Sequence, residues 1–201
     1  MLLKLTIIVV AVFTAVFLYT GICQAAETER TPDQFIFQNH KKIEKIIQSN
    51  KSIYEMRQNI RQHMNEFVDF NKFASLTLTR DWQKMSKAKQ AEFSKLLKNL
   101  ISKTYCKRFK PDYSLKVDYV GETEYREDKS RIRTILTTRN ITSYVEYRMH
   151  QPTSTSEWWV YDIIIDDVSM MRNYRRQFYE ILKSGGTVDT IIRRMRKGTI
   201  E

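Results

Sequence analysis

Residues 158–178 read WWVYDIIIDDVSMMRNYRRQF, an aromatic and β-branched run joined to three carboxylates and then to arginines at helical spacing. The segment is either an acidic centre or the seam between a strand and a helix. Spacing decides between them. If 157–166 is a strand, Trp159, Tyr161, Ile163 and Ile165 face one way, and Trp158, Val160, Asp162, Ile164 and Asp166 the other. Asp162 and Asp166 then share a face but stand roughly 13 Å apart at about 3.3 Å per residue. A paired acid and base of the glycosidase kind needs about 5 to 9.5 Å. Asp167 and Ser169 fall where the strand yields to a helix, as a carboxylate favourable to the helix dipole and an N-cap. Asp162, set among Trp, Val, Tyr and Ile, would be costly to bury as an ion unless hydrogen bonds or a cation satisfy it. The seam reading wins.

Working outward, period-2 patterning recurs at Tyr113, Leu115, Val117 and Tyr119, a strand expected to end at Gly121, and again over 131–138 and 142–150. A polar turn at Arg139 and Asn140 and the loop QPTSTS separate these strands, and such short connections favour antiparallel neighbours. Upstream the period is 3.6. Thr31, Pro32 and Gln34 signal a helix start, and Phe35, Ile36, Ile43, Ile46 and Ile47 form its stripe until Asn50 and Lys51 break it. Ser52 with Glu55 repeats the signature ahead of Ile53, Met56, Ile60 and Met64. A shorter helix follows Asp69 through Phe73, Ala74 and Leu78, and the longest runs from about Ser86 to Phe109, stopped by Pro111. Two more are expected at 169–183, closed by Gly185 and Gly186, and at 188–197. Helices at about 31–109, a sheet at about 113–166 and helices at about 169–197 make an α+β chain of one domain, 26–201.

The N-terminus reads MLLKLTIIVVAVFTAVFLYTGICQA, with Lys4 before an apolar run too short to span a bilayer and small residues at Ala25 and Ala26. Residues 1–25 are therefore expected to be a signal peptide cleaved near Ala25. Cys23 would leave with it, so that Cys106 alone remains and no intramolecular disulfide can form. The net charge is +11, and losing Lys4 lowers it by one. For an exported protein the matching anions are lipid head groups and acidic protein surfaces rather than nucleic acid. His40, His63 and His150 lie far apart, with no HExxH, no CxxC and no phosphate-binding glycine loop. Cys106 reads as a buried structural thiol. Neither an enzyme nor a metal site is expected. The apolar inventory reads first as a filled core, although periodicity does not distinguish a filled core from a lined cavity.

The run from Trp158 to Phe178 resembles the MlaC family, periplasmic phospholipid-binding auxiliaries of ABC lipid transporters, also called the toluene-tolerance family. The likeness rests on Trp158, Val160, Tyr161, Asp162 and Ile163, then Ile165 to Ser169, then Asn173, Tyr174, Arg175, Gln177 and Phe178. A second block, Val68, Asp69, Phe70, Phe73, Ala74, Leu78 and Trp82 with Gln90, Phe93, Leu97 and Tyr105, fits as well. Two departures are losses of glycine: Thr79 stands where relatives carry Gly, and Asp166-Asp167 where they carry Glu-Gly.

The resemblance implies a curved antiparallel, NTF2-like sheet packed with helices around an apolar cavity. The cavity residues it implies are Phe73, Trp82, Phe93, Leu97, Leu100, Ile101, Tyr105, Val117, Tyr119, Val145, Tyr147, Tyr161, Ile163, Tyr174 and Phe178. Arg133, Arg148, Arg172 and Arg175 are implied at the mouth or on a docking face. Phospholipid is the cargo rather than a cofactor. The implied partners are an inner-membrane ABC transporter with its membrane-anchored ring and an outer-membrane lipoprotein complex, with the periplasm between them. A hopanoid cargo, an exported NTF2-like isomerase or dehydratase and a protein-binding adaptor are the alternatives. A carrier suits a chain without catalytic groups: burying about 30 methylenes gains roughly 24 kcal/mol, and a bilayer offers nearly the same, so exchange stays near balance.

Overall fold

The computed structural model describes residues 30–49, 52–110, 115–126, 128–138, 141–152 and 157–200. The leader with its cleavage site, the break at Asn50 and Lys51, Pro111, Tyr113, the turn at Arg139 and Asn140, and residues 153–156 lie outside them.

Among the described residues, five helices precede the sheet: α1 (Pro32–Ser49), α2 (Ile53–Phe67), α3 (Phe70–Leu78), α4 (Arg80–Gln83) and α5 (Lys87–Cys106). The strands are β1 (Leu115–Arg126), β2 (Lys129–Thr138), β3 (Ile141–His150), β4 (Trp159–Ile165) and β5 (Val168–Ser169), and α6 (Met170–Lys183) and α7 (Val188–Lys197) follow. The strands form one curved, unclosed antiparallel sheet in the order β1-β2-β3-β4-β5. The expected α+β architecture is present.

Local chemistry sets the boundaries. The Asp69 carboxylate accepts from the Lys72 N–H at 2.8 Å, and the hydroxyls of Ser86 and Ser169 accept from Lys89 at 3.3 Å and Arg172 at 3.0 Å. Each satisfies a donor that the first helical turn leaves free. Past the end of α6, Gly185 has φ 85°, and a Cβ on Gly186 would stand 2.6 Å from the Ile181 carbonyl oxygen. Only glycine fits both constraints.

Four local expectations change. β1 continues through Gly121, because the residue's φ of 127° absorbs a register shift in the β1–β2 ladder rather than ending the strand. α5 stops at Cys106, three residues short of Phe109. The short α4 and the β4–β5 hairpin lacked a periodic signal to announce them. The fourth change concerns β4, where Arg148 pairs with Asp162 but Met149 pairs with Val160, leaving Tyr161 as the extra residue of a bulge. Val160 thereby joins the face of Ile163 and Ile165, and Tyr161 leaves it.

The helices make two packing groups. α1 pairs with α2 and covers β1 and β2, whereas α3, α5, α6 and α7 pack on one another, with α3 and α6 against β4. The second group is filled by a chain of rings: Trp82 to Phe93 at 6.2 Å, Phe93 to Phe178 at 5.5 Å, Phe178 to Tyr174 at 6.0 Å and Tyr174 to Phe73 at 6.2 Å between centroids. Edge-to-face and tilted geometries of this kind suit the ring quadrupoles.

Candidate functional site

Between the α1–α2 pair and the inner face of the sheet lies a cavity of about 170 Å³. α1 contributes Ile36, Asn39, His40 and Ile43, and α2 contributes Ile60, Met64 and Phe67. Both sets step by three or four residues, so each is one face of its helix. Leu136, Val145, Tyr147, Ile163 and Ile165 supply the sheet wall, with Met170 beside them, and Tyr105, Arg108 and Phe109 close the α5 end. In β3 and β4 the lining residues sit two apart, as one face of a pleated sheet requires.

The wall is apolar except at few points. His40 Nε2 lies 2.8 Å from the Tyr147 hydroxyl, and His40 Nδ1 is 3.5 Å from the Tyr119 hydroxyl. Burial pushes the His40 imidazole down to about 4, so it is neutral at neutral pH, and the same burial raises the Tyr147 phenol. Asn39 donates its amide to the Phe35 carbonyl at 2.8 Å. At the α5 end the Arg108 guanidinium lies over the Tyr105 ring, 5.1 Å from its centroid.

Of the residues the resemblance implied for the cavity, Tyr105, Val145, Tyr147 and Ile163 line it. Tyr119 is an exposed neighbour through His40, and Val117 pairs with the lining residue Leu136. Phe73, Phe93, Leu97, Ile101, Tyr174 and Phe178 are buried in the filled helical core, with Trp82 and Leu100 half-buried against it. Tyr161 stacks on His150 at 5.6 Å, turned from the cavity by the bulge. None of the four expected arginines lines the cavity. Arg133 and Arg148 lie on the outer sheet face, reaching Glu146 at 3.4 and 3.2 Å, and Arg172 and Arg175 are exposed on α6.

The seam's Asp162 and Asp166 carboxylates are held by hydrogen bonds from the surrounding chain. Asp162, 1% exposed, accepts from the Ser169 hydroxyl at 2.7 Å and the Met171 N–H at 3.0 Å, with the Arg148 guanidinium 3.7 Å away. Burial raises its carboxyl despite these donors. Asp166 instead accepts from the Tyr144 N–H at 2.9 Å, so the two carboxylates serve different places. Cys106 is buried with its Sγ 3.9 Å from Met64 Sδ, and burial raises its thiol. Among the described residues, no group of three or more His, Cys, Asp or Glu could hold a metal ion.

Sequence reasoning missed His40, Asn39, Arg108 and the α1–α2 wall. A signal existed for His40, which falls between Ile36 and Ile43 on the apolar stripe of α1, a polar residue where only apolar ones are otherwise expected. Arg108 had none, being one of many cations near a helix end.

The chain's fold is shared by a phospholipid-binding protein from Ralstonia solanacearum, solved in complex with a phospholipid. The TM-score is 0.73 at 18% identity, over 82% of this chain and 94% of that one. No curated protein sequence matches. The family model described as MlaC protein matches residues 38–197, from within α1 through α7 and including every cavity-lining residue except Ile36. The chain belongs to the MlaC family.

Proposed function

We propose that this protein is an exported phospholipid carrier that holds acyl chains between the α1–α2 pair and the sheet, and moves lipid between membrane-associated partners. The apolar cavity at that place, in a chain of this family and with the fold of a phospholipid complex, is the observation that carries the reading. Its cavity of about 170 Å³ is below the roughly 300–1,000 Å³ of pockets that enclose drug-sized ligands, so loading a diacyl lipid widens it. Ile36, Ile43, Ile60 and Met64 are the side chains that must give way, and α1 and α2 carry all four.

Residues 1–25 act as the signal peptide, with cleavage near Ala25, and the mature chain works in the periplasm. It exchanges lipid with an outer-membrane lipoprotein complex on one side and the ring of an inner-membrane ABC transporter on the other. Among the described residues no helix is long and apolar enough to cross a membrane. The basic surface suits docking on acidic partners, an attraction that salt screens beyond about 8 Å.

The test is a transfer assay. Fluorescent phospholipid in donor vesicles should reach acceptor vesicles at a rate that rises in proportion to added mature protein. Transfer no faster than without protein would reject the carrier reading.

A further inference from the structure

Among the described residues that line the cavity, Arg108 is the single permanent cation. It lies two residues past the end of α5, where the helix C-terminus favours positive charge, and its side chain is exposed. No carboxylate pairs with it among the described residues; its contact is the face of Tyr105. The turn that carries it is clamped from outside, because the Arg57 guanidinium donates to the carbonyls on both sides, Lys107 at 2.7 Å and Phe109 at 3.3 Å. The backbone is thus fixed while no partner among the described residues takes the Arg108 side-chain donors.

A guanidinium stacked on an aromatic ring at the rim of an apolar cavity presents a planar fork of donors to an anion whose apolar part lies inside. We propose that Arg108 recognises the phosphate of the bound lipid, so that the protein selects lipids bearing a phosphodiester over neutral lipids with the same chains. The inference rests on the carrier reading above. Arg133 and Arg148 cannot take this role from the outer sheet face, where they already pair with Glu146. One exposed contact also fits exchange with a bilayer, since it biases selection without a buried clamp that would trap the cargo.

The mature protein is incubated with vesicles containing dioleoylphosphatidylglycerol or dioleoylglycerol, which share acyl chains and differ in the phosphoglycerol head group. Bound lipid is counted by mass spectrometry after re-isolation. Wild type should prefer the phospholipid about tenfold. Arg108→Gln should lose that preference, and a thermal midpoint equal to that of wild type shows that the variant is folded. Arg108→Lys should keep part of the preference. An Arg108→Gln protein that keeps the full preference overturns the proposal, and so does a wild type that loads both lipids equally. Wild type that loads neither lipid instead rejects the carrier reading itself. In a third arm, excess inorganic phosphate replaces chloride at equal ionic strength. Unchanged phospholipid loading is expected, and loss of loading would make the rim a free-anion site and overturn the lipid assignment.

Discussion

Placing an imidazole in an apolar wall has a consequence in acid. His40 has an ordinary value of 6.5 and about 4 in the folded protein, with burial as the cause. Between those pH values the unfolded chain binds a proton that the folded chain refuses, so stability is fully present above 6.5 and falls as pH drops toward 4. The loss amounts to about 3 kcal/mol at its limit. Asp162 works the other way, since its raised carboxyl favours the folded state as pH falls, so the His40 effect is read by difference. His40→Gln should cost about 1 kcal/mol at pH 7 for the Tyr147 bond and should flatten the decline between pH 6.5 and 4 in urea titrations. Parallel pH profiles for the two proteins would sink this account of His40. For Asp162→Asn, an amide cannot accept from both Ser169 and Met171 and leaves Arg148 without its charge, so about 1 to 3 kcal/mol should go, with lipid occupancy kept. Normal melting with lost lipid transfer would give Asp162 a functional role instead. Asp162 was legible in the sequence because its neighbours were all apolar, whereas Arg108 gained meaning only when the fold brought the end of α5 to the cavity.

Among elements, the places where glycine is missing are where the backbone is bent furthest. Thr79, between α3 and α4, has φ 50°, and Asp166 and Asp167, the two-residue loop between β4 and β5, have φ 47° and 66°. Both central residues at positive φ make this loop a type I′ turn, for which Asp-Gly is a favoured sequence. Asp tolerates the left-handed region; a β-branched Thr does not. Thr79→Gly should therefore raise stability by about 1 kcal/mol, and Asp167→Gly by less, each measured as a shift in thermal midpoint. A lower midpoint for Thr79→Gly would mean that the Thr79 side chain contributes more than its backbone conformation costs. Elements with caps and clear periods were readable from the sequence, as with Asp69, Ser86 and Ser169. The bulges at Gly121 and Tyr161 were not, because a register shift depends on the partner strand, and that shift moved Tyr161 out of the face that alternation assigned to it.

Across the whole molecule, the aromatic residues that looked like a cavity lining mostly fill a second core. Phe73, Phe93, Tyr174 and Phe178 hold α3, α5 and α6 together, while mostly aliphatic residues of α1, α2 and the sheet, with Phe67, His40 and Tyr147 among them, surround the empty space. Helical periodicity marks a buried face without saying whether the facing volume is occupied, which is why the cavity's place was not legible and its apolar character was. The central claim is that this space, and no other, takes lipid. Filling it should then exclude the cargo without unfolding the protein: Ile163→Phe adds bulk to the sheet wall of the cavity. The direct measurement is native mass spectrometry with lipid extraction on wild type and Ile163→Phe purified from bacterial cells. The account predicts about one diacyl phospholipid per wild-type chain and a largely empty variant whose thermal midpoint is unchanged or higher. An empty wild type, or a folded variant that carries as much lipid as wild type, would contradict it.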